Sequence, residues 1–150
     1  MTETVFIPPE PRHRARGGVF VPPLLIVPLV VYNLVALLFM GGNPAGWNTQ
    51  IFYVAMVSGQ PWALTAGDLL LVLGLGCLFF EVLKSTNTGR NSVVEHMLST
   101  LVFIIFLVEF LLVGAAASSV FFLLLMMSIF DVVAGFSVSI TSAGRDVTMN

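Results

Sequence analysis

The sequence predicts an all-α integral membrane protein whose four transmembrane helices form an antiparallel bundle. Two observations support this fold class. Apolar residues make up 57% of the 150-residue chain and charged residues only 9%, whereas a soluble domain carries roughly 25% charged residues. In addition, four segments are long and apolar enough to cross a bilayer, which takes about 20 residues of helix.

The four predicted spans cover residues 19–40, 62–83, 93–113 and 119–140. Each must be a helix, because a lone strand would leave its backbone groups unpaired in lipid. Residues 1–18 are rich in proline and arginine and are predicted to be a disordered or extended cytoplasmic tail. Residues 141–150 are predicted to form a second cytoplasmic tail. The short links predict that the last three helices are antiparallel neighbours.

The longest link, residues 41–61, is predicted to lie at the membrane surface. Its apolar run at 51–57 is too short to cross the bilayer. Trp47, Tyr53 and Trp62 bracket this run, and their rings favour the headgroup region. We therefore expect 47–59 to form an interfacial helix or a half-buried loop, anchored by these aromatic residues.

All six basic residues fall on one side of the membrane if the chain crosses it four times. They are Arg12, Arg14, Arg16, Lys84, Arg90 and Arg145. Because positive residues stay in the cytoplasm, both termini are predicted to be cytoplasmic, and we expect the inner membrane of a bacterium. Glu81 and Lys84 are three residues apart and are predicted to pair at the inner surface, with Arg90 beside Glu95 in a similar anchoring role.

Four polar side chains inside the predicted spans are candidate functional residues: Asn33, Asp68, Glu109 and Asp131. A charge near the bilayer centre costs about 2.5–3.5 kcal/mol, so carboxyls there are expected to have a role. Asp131 lies near the middle of its span, and Asp68 and Glu109 lie roughly 7–9 Å outward of centre. No basic residue is expected at that depth. Two roles are open for these carboxyls. They form a path for protons or cations, or they make contacts that join helices.

Helical phase predicts which of these residues face protein. Four small or polar residues of the last span share one stripe and are predicted to contact other helices: Ser128, Asp131, Gly135 and Ser142. In the second span, Asp68 points away from the face shared by Gly67, Gly74 and Glu81. We therefore expect Asp68 to reach the outer interface more readily than a neighbouring helix.

Composition and motifs exclude several classes of protein. Six basic and eight acidic residues give a net charge of −2, which argues against nucleic-acid binding. A single cysteine, Cys77, rules out an internal disulfide and a cysteine-based zinc cluster. No second intramembrane histidine accompanies His96, so haem ligation is not expected. Bound lipid is expected, whereas a metal or quinone is not.

Two functions remain open from the sequence. The chain has neither a soluble domain nor a catalytic constellation, so we expect a non-enzymatic accessory or scaffolding subunit of a larger inner-membrane complex. Its partners would be membrane lipids and other integral membrane subunits or copies of itself. The alternative is a small oligomeric proton- or cation-coupled transporter or channel that uses the intramembrane carboxylates. A membrane enzyme acting on lipid or quinone ranks last.

Overall fold

The computed structural model describes residues 22–85 and 92–147 and is mostly helical. Its elements are helix α1 (Ile26–Leu38), strands β1 (Gln50–Ala55) and β2 (Pro61–Thr65), and helices α2 (Ala66–Ser85), α3 (Ser92–Leu112) and α4 (Ser119–Val147). Short 3₁₀ turns lie at Pro44–Asn48 and Gly114–Ala116. The predicted tail at 1–18 and Arg90 lie outside the described residues.

Three of the helices are long and apolar enough to cross a membrane: Ala66–Ser85, Val94–Leu112 and Ser119–Ser137. The first helix is apolar but has only 13 residues. It therefore rises about 20 Å, which is less than the ~30 Å thickness of the hydrocarbon core. The fold is thus that of a membrane protein with three helices of spanning length and a fourth, shorter one.

The segment expected to be an interfacial helix or half-buried loop is a β-hairpin, so the predicted backbone conformation is wrong, while its place at the membrane surface stays a prediction. Strand β1 pairs antiparallel with β2, with Tyr53 opposite Ala63 and Val54 opposite Trp62. Gly59 has a positive φ of 82° in the turn, a conformation that glycine adopts without steric cost. Aromatic and β-branched residues favour strands, and this local preference decides the structure. Because β2 ends at Thr65, α2 begins four residues after the start of the predicted span.

Helix α4 lies between α2 and α3 and packs against both. It runs parallel to α2, since Gly67 faces Val120 near the start of both helices and Gly74 faces Leu124 further along. It runs antiparallel to α3, where Phe110 contacts Phe122. Helices α2 and α3 make little contact with each other. The prediction of antiparallel neighbours therefore holds for α3 and α4, whereas the neighbour of α2 is α4, which runs parallel to it.

The core of the bundle is filled by residues from all four helices and by Trp47. Helix α1 and the residue before it bury a stripe at spacings of three and four residues: Leu25, Leu29, Tyr32 and Ala36. This stripe packs with Phe106, Phe121 and Leu124 in one cluster. On α4, Ser128, Asp131 and Gly135 are buried, which confirms that this stripe faces protein. The side chain of Ser142 is outside the described set.

Candidate functional site

A small polar cavity lies where α2 ends and α3 begins, which we call the polar end of the bundle. Its volume of ≈ 20 Å³ is enough for a single water molecule. Three helices line it, with Glu81, Lys84 and Ser85 from α2, Glu95, His96 and Ser99 from α3, and Asp131 from α4. Of the acidic side chains that the structure describes, Asp68 and Glu109 lie elsewhere.

The Glu81 side chain connects the end of α2 to the residues just before α1. Its side chain is almost fully buried, with 4% of the residue exposed. The backbone N–H of Leu24 donates a hydrogen bond to Glu81 Oε2 at 2.7 Å. Lys84 Nζ donates to the other oxygen, Oε1, at 2.9 Å. The predicted Glu81–Lys84 pair therefore exists, and its carboxylate also binds a backbone donor next to the first turn of a neighbouring helix.

Lys84 also links α2 to α3. Its ammonium nitrogen lies 3.8 Å from Glu95 Oε2. This second ion pair is longer than the first, and both of its side chains are partly exposed. Contacts of this kind stabilise a fold only weakly, because solvent screens them. Glu95 was expected to lie beside Arg90, but the partner that the described residues provide is Lys84.

Asp131 joins α4 to α3 at the same cavity. Its carboxyl is buried, with 5% of the residue exposed, and it is hydrogen-bonded to the Ser99 side chain. Lys84 and His96 lie near enough to act on it electrostatically. Packing of α4 against α2 therefore places Asp131 at the same cavity as the last turn of α2.

His96 packs against α4 and fills the space that a glycine leaves open. A Cβ built on Gly135 would collide with the His96 ring. The ring also stacks on Phe136, with centroids 5.5 Å apart and planes 12° from parallel. Within residues 22–85 and 92–137, no three His, Cys, Asp or Glu side chains come close enough together to hold a metal ion. His96 therefore both lines the cavity and packs against Gly135 and Phe136 of α4.

The other predicted polar residues lie towards the opposite end of the bundle, which we call the aromatic end. The side chains of Asn33 and Glu109 are hydrogen-bonded and connect α1 to α3. Asp68 does not join them. Its Oδ2 accepts hydrogen bonds from the Thr65 backbone and hydroxyl, at 2.8 and 2.7 Å, and Thr65 Oγ1 accepts from the Asp68 N–H at 3.1 Å. This reciprocal arrangement is a capping box that starts α2.

Tyr32 is the centre of the aromatic end. Its ring stacks on Trp47 with centroids 4.6 Å apart and meets Phe121 edge-on at 4.7 Å. The hydroxyl donates to the Ala115 carbonyl at 2.7 Å and lies 2.8 Å from Ser118 Oγ. Trp47, expected to be a surface anchor, is buried by these contacts. Tyr53 and Trp62 remain exposed on the hairpin.

Five of the residues that line the polar end were singled out from the sequence: Glu81, Lys84, Glu95, His96 and Asp131. The sequence did not predict that they lie together, and it gave Ser99 no role. A weak signal was present. Ser99 follows Glu95 by four residues, so both lie on one face of α3. The link between α2 and α3 is also short, and it places the start of one helix beside the end of the other. No family model, curated protein or solved structure matches this chain.

Proposed function

We propose that this chain is a small non-enzymatic subunit, accessory or scaffolding, of a larger membrane complex. The main support is how the fold uses its buried polar side chains. Glu81, Tyr32 and Asp131 each bond to a different structural element of the same chain. These bonds join helices, and the cavity that the charged residues line has room for one water molecule but not for a substrate.

We further propose that α1 is part of a fourth crossing. Leu24, just before α1, contacts Glu81 at the polar end. Tyr32, two turns later, contacts Ala115 and Ser118 at the opposite end. The helix and its flanking residues therefore run along the bundle from one end to the other. With four crossings, all six basic residues lie on one side, which the positive-inside rule assigns to the cytoplasm of a bacterial inner membrane.

Cysteine labelling tests the four crossings. Single cysteines replace Arg14, Ser58, Arg90 or Arg145 in a Cys77→Ser background, and an impermeant thiol reagent is added to intact cells. We expect labelling of the Ser58→Cys variant alone, with the other three labelled only after lysis. If the cysteine at position 14 is labelled from outside together with that at 58, α1 does not complete a crossing.

The subunit proposal is tested by extraction from native membranes into polymer nanodiscs without detergent, followed by native mass spectrometry. We expect a stoichiometric partner or a defined self-assembly. Crosslinkers placed in 1–18 and 41–61, the longest segments outside the predicted spans, then identify the contacting chain. A lone monomer in every preparation, with no crosslinked product, would contradict the proposal.

A proton- or cation-coupled carrier is the second candidate. It is favoured by one observation, which is that Glu81, Glu95 and Asp131 line the same water-sized cavity as His96. In liposomes loaded with a pH-sensitive dye, this candidate predicts a flux that Asp131→Asn abolishes. Asp68→Asn is the matched control, because Asp68 caps α2 away from the cavity. Loss of thermal stability in the Asp131→Asn variant, without any measurable flux in the wild type, favours the subunit role.

A further inference from the structure

The hairpin presents one continuous apolar face. Cross-strand partners place side chains on the same face of a sheet, so the pairs Phe52–Leu64 and Val54–Trp62 form a row of four apolar side chains. Phe52 and Trp62 are about half exposed, and Val57 at the turn is fully exposed. An isolated two-stranded hairpin is at best marginally stable in water. Val54 and Leu64 of this row are partly buried, whereas Phe52, Trp62 and Val57 remain open to lipid or to a protein partner.

The charge of the hairpin helps to decide whether a soluble protein or lipid covers this face. Residues 41–67 contain no Asp, Glu, Lys, Arg or His. The rim of a protein–protein interface is polar, and the polar side chains that the hairpin offers for one, Gln50, Ser58 and Gln60, are all uncharged. A lipid interface needs no such rim, and tyrosine and tryptophan rings are enriched there. Tyr53 and Trp62 are both exposed on the hairpin.

The position of the hairpin agrees with lipid as the covering. Strand β2 ends at Thr65 and α2 begins at the next residue. On α2, a helix long enough to span the membrane, the apolar side chains of Leu69, Val72 and Leu75 are also exposed. The exposed apolar residues of the hairpin are thus followed directly in sequence by exposed apolar residues of a helix of spanning length. The open backbone edges of a two-stranded sheet also need water or headgroups as hydrogen-bond partners, which excludes the hydrocarbon core.

We propose that the hairpin lies in the headgroup region of the leaflet at the aromatic end, with Phe52, Val54, Trp62 and Leu64 against the upper acyl chains. The hairpin then acts as an interfacial anchor that fixes the depth of the start of α2. This anchoring is independent of whether the chain is an accessory subunit or a carrier.

The two tryptophans provide a direct test. Trp62 lies on the proposed lipid face, whereas Trp47 is enclosed by protein. The Trp47→Phe variant therefore reports on Trp62, and the Trp62→Phe variant is the matched control that reports on Trp47. Both are placed in phosphatidylcholine nanodiscs and titrated with aqueous iodide and with lipids that carry a nitroxide at different depths.

We expect severalfold stronger quenching of Trp62 by nitroxides near the glycerol backbone than by those near the chain end, with weak quenching by iodide. Trp47 should resist iodide and show the weaker response to lipid nitroxides. Strong iodide quenching of Trp62 without lipid quenching would place the hairpin in water and overturn the proposal. Quenching by neither would mean that protein, either a second copy or another subunit, covers the face.

A label at the turn tests the same placement if Trp47→Phe does not fold. An environment-sensitive fluorophore is attached to Val57→Cys in the Cys77→Ser background. We expect blue-shifted emission in the nanodisc, equal in neutral and anionic lipid because the segment has no charge. Emission like that of the free dye in water, or a shift that appears only with anionic lipid, would contradict an apolar interfacial anchor.

Discussion

The two ends of the bundle are held together by different chemistry. At the polar end, Glu81, Lys84 and Asp131 connect α1, α2, α3 and α4 through ionisable groups around a water-sized cavity. At the aromatic end, the contacts around Tyr32 and Trp47 are ring stacking and neutral hydrogen bonds. Between them lies an apolar layer that includes Val102, Phe106 and Leu124.

The charged groups of the polar end are partly accessible to water. Lys84 and Glu95 are partly exposed, so their charges remain solvated while the buried oxygens of Glu81 bind donors from two elements. The segment that follows α1 at the other end contains no charge across 41–67. Apart from Glu109, whose carboxyl meets Asn33, the helices there are joined by neutral groups, which are less costly to transfer away from water.

The largest effect is expected from Glu81→Ala at the polar end. The substitution removes the acceptor for the Leu24 N–H and the closest partner of Lys84. Hydrogen bonds to a charged group contribute about 1.5–3 kcal/mol each, and the Glu81 carboxylate accepts one from the Leu24 N–H and one from Lys84. We expect a loss of this order in the free energy of unfolding, measured by SDS titration in mixed micelles.

Two variants sharpen this result. Glu81→Gln keeps an acceptor for the Leu24 N–H but loses the charge, so its loss should be intermediate. Glu95→Gln removes only the longer, partly exposed contact with Lys84 and should cost less than about 1 kcal/mol. Equal losses for Glu81→Ala and Glu95→Gln would mean that the polar end is not organised around the buried carboxylate.

A medium effect is expected from glycines that allow close helix packing at the aromatic end. A Cβ on Gly67 would lie 2.6 Å from Val120 Cγ2 and 3.1 Å from the Trp47 carbonyl oxygen. Val120 is β-branched and stiff, and a backbone oxygen cannot move independently. We expect Gly67→Ala to cost about 1–3 kcal/mol in the same unfolding assay, as overpacking does.

Gly76 provides the control on the same helix. Nothing lies within 4 Å of a Cβ at that position, so Gly76→Ala should be neutral or slightly stabilising because alanine has the higher helix propensity. If both glycine variants lose the same stability, the effect comes from the helix itself. In that case, contact with α4 and the Trp47 backbone would not explain it.

The sequence allowed the helices to be predicted far better than the contacts between them. Hydropathy and length placed α3 and α4 within about a residue of their observed starts, because lipid requires a continuous apolar helix. The hairpin was not predicted, because the preference of aromatic rings for the headgroup region says nothing about backbone conformation. β-propensity at Ile51, Phe52 and Tyr53 contained that information.

Site residues were predicted individually and not as a group. Helical phase identified Asp131 and Glu81 as protein-facing, which the structure confirms by their burial. It could not show that they share a cavity, because that depends on α4 lying between α2 and α3. Asp68 shows the opposite case. Its distance from Thr65 is three residues, which is the spacing of a capping box, and a local motif accounts for its position.

The smallest effect is expected from Tyr32→Phe, and it tests whether neutral hydrogen bonds stabilise the aromatic end. The variant keeps the ring that stacks on Trp47 but removes the hydroxyl that donates to the Ala115 carbonyl and contacts Ser118. A typical buried hydrogen bond contributes about 1 kcal/mol, so the unfolding free energy should fall by that order. Tyr53→Phe on the exposed hairpin is the control and should have no measurable effect. If Tyr32→Phe lowered the unfolding free energy as much as Glu81→Ala, there would be no energetic difference between the two ends. One neutral hydroxyl would then stabilise the fold as much as the buried Glu81 carboxylate.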